Sequence, residues 1–464
     1  LRLGRRLLRM LVASARADEA ATPARLLARH LGPEAPLLPV VSEGWARYDH
    51  VNLQGALERW TGAPGRSATL VGLTDFQHSM FTLADLAQSG MSMHGPGIGA
   101  VAMARLASGP AGATRACIRC GLYLVSDGDA RLALLLREGD PRRGIEQTTV
   151  EVLCADSDRA AAVLSEIRRL ALEHSVFRGQ ILSFGSEMFG PRDTPLAFHE
   201  RPALTREDLV LPTDVLEAVE AQVLGIARHR SRLVASGQHL KRGVLLHGPP
   251  GTGKTHTLRY LISRLTNTTI VMLSGDALQF IAAAVSIARA LQPALVIVED
   301  VDLIAENRGM HPGHHPLLFQ LLNEIDGLAE DADVTFLLTT NRADLLEPAL
   351  AQRPGRVDQA VELPLPDADG RRQLLALYRG NLDLQLIDAD PVVAKTEGVT
   401  ASFFKELLRR AALISAERTD GDGDGALSVG DAELQAALDQ LLSERNQLTR
   451  VLLGAARDHN PPDQ

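Results

Sequence analysis

The spacing of apolar and polar positions changes twice along the chain. Between residues 205 and 363, short apolar runs at 243–247, 270–273, 294–298, 334–339 and 359–363 alternate with helical patterns. Runs this short and this uniformly apolar suit strands buried on both faces, and their alternation with helices predicts βαβ units in a five-stranded parallel sheet. From 364 to 454 the pattern is helical only, over 370–378, 402–417 and 431–444, and predicts an all-helical subdomain. Residues 1–200 follow neither style. Two strand-like runs, 118–125 and 131–137, flank Ser126-Asp127-Gly128-Asp129-Ala130, and Asp-Gly between apolar runs signals a hairpin. Helical patterns at 53–60, 81–87 and 158–174, with a further strand at 149–153, make this an α+β module. The polar end, 455–464, reads as a flexible tail.

Composition narrows the class. A length of 464 residues exceeds one compact core and suggests about three domains. A net charge of −9 supplies no global positive field for a nucleic-acid backbone, so no nucleic-acid partner is expected. The longest apolar runs, such as 295–298, fall far short of the roughly 18 residues that a membrane helix needs. Three cysteines argue against a disulfide framework and for a reducing, cytoplasmic setting. The first residues carry Arg2, Arg5, Arg6, Arg9 and Arg16 with no acid before Asp18. They read as a surface helix; the alternative is a basic amphipathic helix that touches a membrane or targets an organelle.

Chemistry concentrates between 248 and 356. Gly248-Pro249-Pro250-Gly251-Thr252-Gly253-Lys254-Thr255 is a full G-x-x-x-x-G-K-T loop, leaving a predicted strand and opening a predicted helix. Its glycines let backbone N–H groups turn inward around phosphates, and the helix N-terminus adds partial positive charge. Lys254 is expected to reach the β- and γ-phosphates of a nucleotide, and Thr255 to offer its hydroxyl to Mg²⁺. The nucleotide-binding set is therefore Gly248, Pro250, Gly251, Thr252, Gly253, Lys254, Thr255 and His256. The run 295–298 ends in Glu299-Asp300, at the strand edge where open α/β sheets place ligands. Consecutive strand residues point to opposite sides, so one carboxylate can face the metal and the other the attacking water. Asn341 follows the strand at 334–339, and Arg353 and Arg356 precede the last strand. As plain surface charges these arginines would be satisfied by solvent, but their place after an Asn-tipped strand favours phosphate sensing.

Together these residues resemble the AAA ATPases, in the branch of valosin-containing protein, spastin and the membrane-anchored AAA metalloproteases. The resemblance covers about residues 205–454. It rests on the loop above, on Glu299-Asp300-Val301-Asp302, on Asn323-Glu324-Ile325-Asp326-Gly327-Leu328, on Thr339-Thr340-Asn341-Arg342, and on Pro348-Ala349-Leu350 through Arg353-Pro354-Gly355-Arg356-Val357-Asp358. It implies a P-loop NTPase large subdomain at 205–363, a helical lid at 364–454, and ATP with Mg²⁺ as cofactors. It implies that Asn341 positions the lytic water, that Arg353 and Arg356 act as arginine fingers on a neighbour's ATP, and that the Asp326-Gly327 segment relays between subunits. It also implies a homo-oligomeric ring, usually of six, acting on protein substrates.

Three departures stand out. The family's Asp-Glu order is reversed here, with Glu299 assigned to Mg²⁺ and Asp300 to the water. Where the family has an aromatic-hydrophobic-glycine pore loop, this chain has Phe280-Ile281-Ala282, leaving Phe280 as the substrate-gripping candidate or a packed core residue. The lid's Ser-Gly-Ala-Asp reads Thr400-Ala401-Ser402-Phe403. Weaker signals take structural readings. The loop Asp420 to Asp431 fits a calcium loop but reads as a solvated acidic loop. Cys117 and Cys120 form C-x-x-C but read as small core residues. His311, His314 and His315 read as an exposed loop, and Gly95 to Gly99 lacks the lysine of a phosphate loop. No H-E-x-x-H occurs in the sequence. Two functions fit: an ATP-hydrolysing remodeller whose first 200 residues select substrate, or a nucleotide-switched assembly scaffold that scarcely turns over. A nucleic-acid motor is disfavoured by the acidic balance.

Overall fold

A computed structural model of the chain describes residues 22–74, 76, 81–88, 96–140, 144–185, 196–302, 316–344, 357–418 and 427–443. The arginine-rich start, Gly95, the histidines at 311, 314 and 315, the acidic loop from Asp420 to Asp424 and the tail lie outside the described residues. The chain divides into two units, residues 1–178 with 187–198 and residues 179–186 with 199–464.

The first unit is built on a seven-stranded sheet. The hairpin foreseen at 126–130 is tighter than its sequence suggested: Thr114–Asp127 pairs with Ala130–Arg137 until Asp127 faces Ala130, leaving a two-residue turn with Gly128 at φ 59°. Such a turn needs a left-handed residue, which glycine adopts without a Cβ clash. The run Leu132-Ala133-Leu134-Leu135-Leu136 is apolar without alternation because both sheet faces are covered. Leu132, Leu134 and Leu136 pack with the helices His50–Thr61 and Ser157–Glu173 around Trp60 and Ile167. Ala133 and Leu135 pack with Pro23–Leu31 and Leu83–Gln88 around Leu27 and Leu86. Cys117 and Cys120 are fully buried, and burial pushes both thiols up to about 12, so at neutral pH they are protonated and poor nucleophiles.

The second unit corrects the five-stranded expectation. Its sheet has seven strands, and six pair in parallel in the order Gln359–Glu362, Arg242–His247, Val334–Thr340, Ala294–Val298, Thr269–Leu273, Ile181–Phe184. The added strand Ile181–Phe184 comes from the segment assigned by sequence to the preceding module, with Ile181 facing Ile270 and Ser183 facing Met272. Four residues carry no readable period, so only the exposed edge of Thr269–Leu273 decides where they go. Central strands such as Ala294–Val298 are buried at every position, as two covered faces require.

The C-terminal part packs Ala368–Tyr378, Ala401–Arg418 and Asp431–Leu442 around Phe403, Phe404, Leu407 and Leu438. It is not all-helical: Asp383–Gln385 and Ser428–Gly430 pair in parallel. Three residues each are too short for periodicity to reveal. Among the described residues no helix is long and apolar enough to cross a membrane.

Leu182, 0% exposed in the added strand, tests whether that strand is integral to the sheet. Leu182→Ala should destabilise the second unit by about 2–5 kcal/mol, the usual cost of emptying a buried leucine site, in a denaturant titration. A loss within about 0.5 kcal/mol, the range of ordinary surface changes, would mean the strand is an ornament.

Candidate nucleotide site

The loop 248–253 leaves the buried strand Arg242–His247 and enters the helix Lys254–Arg264 through Gly253, which is left-handed. Two glycines are required by space as well as by backbone. At Gly248, φ 143°, a Cβ would lie 2.4 Å from the carbonyl oxygen of Leu363. At Gly251, φ 83°, it would lie 2.2 Å from Ser402 Oγ and 2.8 Å from Thr400 Oγ1. The C-terminal helical part therefore touches the loop through the segment Thr400–Ser402. Ser402 N–H donates to the Gly251 carbonyl at 3.3 Å, and the two hydroxyls lie 2.9 Å apart.

Lys254, 7% exposed, donates from Nζ to the carbonyls of Gly248 at 2.8 Å and Pro249 at 2.9 Å. Burial lowers its ammonium below the usual lysine range, while the charges of Asp300 and Asp302 oppose that fall. Thr252 is buried and donates to the Pro249 carbonyl at 2.9 Å. It also lines a cavity of about 310 Å³ with Val210, Leu211, Pro366, Asp367 and Ala401, beside the loop. His256 bonds through Nε2 to the Asp208 carbonyl at 2.9 Å, which commits its ring to the short helix Arg206–Asp208. Pro250 is exposed at the loop tip.

The two acids part, but not by strand alternation: the strand ends at Val298 and the left-handed turn at Asp300 separates them. Glu299 Oε2 accepts from Thr255 Oγ1 at 3.2 Å. Burial raises the Glu299 carboxyl above the usual range, the Thr255 hydrogen bond lowers it, and the neighbouring Asp300 charge raises it. Asp300 sits in the left-handed region at φ 52°, rare for a residue with a Cβ. Its Oδ1 accepts from Asn341 Nδ2 at 3.1 Å, and its N–H donates to Thr339 Oγ1 at 3.0 Å. Lysine, hydroxyl, two carboxylates and a carboxamide thus gather at the C-terminal edge of one parallel sheet, where a nucleotide's phosphates and a divalent cation fit. Thr255 and Glu299 carry oxygen donors of the type Mg²⁺ takes.

Other candidates stand apart. Arg353 and Arg356 lie outside the described residues. Phe280 ends the short helix Gly275–Phe280 and is half-buried, stacking on Phe184 with ring centroids 5.1 Å apart and planes 19° apart. Sequence reasoning missed that partner, along with Asp302, Thr339, Thr340 and the Thr400–Ser402 contact. Asp302 sat inside a quoted motif, but nothing in spacing separates a bracing acid from a solvated one.

Residues 244–365 match the family described as "ATPase family associated with various cellular activities (AAA)". The chain carries an AAA ATPase domain. Among similar proteins, the ATP-dependent zinc metalloprotease FtsH 3 of Sphaerobacter thermophilus is 32% identical over 276 residues, 56% of this chain and 54% of its own length. The corresponding metalloprotease FtsH of Thermus thermophilus is 30% identical over 54% of this chain and 43% of its own. That of Mycobacterium tuberculosis is 30% identical over 59% and 36%. The chain thus spans about half or less of the length of these relatives. The AAA domain makes the α/β sheet a P-loop NTPase sheet.

The raised Glu299 carboxyl fixes a pH dependence. A cation needs the carboxylate form, which is present above the raised pKa and lost as pH falls through it. Mg²⁺-assisted ATP binding should therefore weaken at a pH above the ordinary carboxylate range. Folding has the opposite sign: the folded chain takes this proton more readily than the unfolded one, so stability gains as pH falls through the raised value. Titrations of ATP with and without Mg²⁺ from the ordinary carboxylate range up through neutral pH check this. Glu299→Gln should lack the acid limb, and a variant that keeps it would remove Glu299 from the cation site.

Proposed function

We propose that the chain binds ATP with Mg²⁺ and hydrolyses it as one subunit of a cytoplasmic, homo-oligomeric AAA ring, of six subunits by family resemblance. The ring uses turnover to remodel protein substrates selected by the first unit. The observation that carries the hydrolytic part is the pairing of Thr255 with Glu299 and of Asn341 with Asp300 beside Lys254. A binding-only loop needs the first pair; the second pair is what a water-positioning site needs.

Phosphoryl transfer asks little covalent chemistry of a protein; positioning and charge stabilisation do most of it. Loop N–H groups and the helix N-terminus bind phosphate oxygens, and the Lys254 ammonium stabilises charge that grows on them. Mg²⁺, when bound, neutralises phosphate charge. Thr255 and Glu299 would hold it. Asp300 accepts a hydrogen bond from the attacking water, and Asn341 fixes the direction of that carboxylate. The cavity lined by Val210 and Leu211 on one side and Pro366 and Ala401 on the other takes the base between large subdomain and lid. Arg353 and Arg356 would complete a neighbour's site. Phe280 is the pore residue of the sequence reading; its stack on Phe184 favours the packed role.

The scaffold reading keeps one supporting observation. Asp300 is a methylene shorter than glutamate, and misplacement near 1 Å costs on the order of 10²-fold in rate. Steady-state phosphate release separates the two readings.

Lys254→Ala should abolish ATP binding without unfolding the chain, by equilibrium binding and thermal melt; near-normal affinity would sink the loop assignment. Asp300→Asn should bind ATP yet lose most turnover. Arg353→Ala or Arg356→Ala should cost about 10³–10⁵ in rate with binding nearly intact. Mixing Lys254→Ala with Arg356→Ala subunits should restore partial activity if the arginine acts across an interface. No recovery despite proven co-assembly would place it in its own subunit.

A further inference from the structure

Asp302 is 6% exposed and accepts two hydrogen bonds, from Thr340 Oγ1 at 2.9 Å and from the Asn341 backbone N–H at 3.2 Å. Thr340 is itself fully buried and accepts the Arg342 N–H at 2.9 Å. Two backbone N–H groups also donate across the same gap: Val301 N–H to the Thr339 carbonyl at 2.9 Å and Asp300 N–H to Thr339 Oγ1 at 3.0 Å. They hold the chain after Ala294–Val298 against the end of Val334–Thr340. The Asp302 pair grips Thr340 and Asn341 beyond the point where Thr340 faces His247 in the sheet, and the Asn341 side chain reaches on to Asp300 Oδ1 at 3.1 Å.

Asp300 makes such a grip necessary. A non-glycine residue at φ 52° persists only where its surroundings over-determine it. Its side chain is also shorter than the family's glutamate, so the error tolerated in its direction is smaller. A buried carboxylate takes hydrogen bonds from fixed donors more strongly than a neutral acceptor does. It therefore suits a brace that must not slip.

We infer that Asp302 is a positioning residue for ATP hydrolysis, holding Asn341, through its backbone N–H and the Thr340 hydroxyl, against the shortened acid Asp300. This rests on the hydrolytic reading above. Asp302 touches neither nucleotide nor water in this role; it acts through Asn341.

The experiment is a kinetic cycle on the full chain, with ATP affinity and thermal melting measured beside phosphate release. Asp302→Ala should lower kcat about 10²-fold, the scale of a misplacement near 1 Å, while ATP affinity shifts less than about threefold, since a positioning role leaves ground-state binding in place. Asp302→Asn keeps an acceptor oxygen and should retain most of the rate. Should Asp302→Ala unfold, Thr340→Val removes half the brace and Thr340→Ser restores it, so the first should be slow and the second near the parental rate. The double variant Asp302→Ala with Asn341→Ala should be no slower than Asn341→Ala alone, because both remove one function. Additive losses, an equal fall in ATP affinity and kcat, or a parental rate in both Asp302→Ala and Thr340→Val would overturn the assignment. A parental chain that releases no phosphate would defeat the hydrolytic reading and this one with it. A turning-over parent with additive variants defeats this one alone.

Discussion

A strand buried on both faces leaves its first polar residues with one place to go, and the site depends on that constraint. Ala294–Val298 offers no polar side chain along its length, so Glu299 and Asp300 emerge together at the sheet edge. The left-handed backbone at Asp300 then sends them to different partners, Thr255 and Asn341. Neither partner is near in sequence; both arrive because parallel strands present their C-terminal ends to the same side. The charge gathered there is offset by Lys254, whose own burial works against its ionised form. Carboxylates and ammonium are each expensive to bury alone and tolerable together.

The reversed acid order changes geometry more than chemistry. Asp300 is shorter than the glutamate of the family pattern, and it sits as a left-handed residue bonded to Thr339 and Asn341. Strain of this kind costs roughly 1–3 kcal/mol and is retained where function or neighbours enforce it. The reversal is accordingly matched by local hydrogen bonding. The C-terminal helical part contributes from the other direction, since Ser402 and Thr400 fill the space that a Cβ at Gly251 would need.

Much of this was legible beforehand for a physical reason. Four of the five predicted strands of the NTPase core were found within a residue or two because they run five to seven residues of largely apolar sequence. The four-residue Gln359–Glu362 was placed by its position after the Arg353–Asp358 segment. The loop, the acids and Asn341 were readable because phosphate chemistry restricts residue types at fixed spacing. Ile181–Phe184, Asp383–Gln385 and Ser428–Gly430 were not readable. Each is three or four residues long, below the length at which a period shows. Their partners lie tens of residues away along the chain.

The sequence by itself determined the AAA domain, the phosphate loop and the place of Glu299 and Asp300 at the strand end, since all follow from local pattern. Only the tertiary structure decided that Asp302 braces the Asn341 segment, that His256 bonds to Asp208, and that Phe280 stacks on Phe184. Those choices depend on which distant group presents a donor, an acceptor or a ring at contact distance. Residue type sets what a side chain can bond; packing sets what it meets.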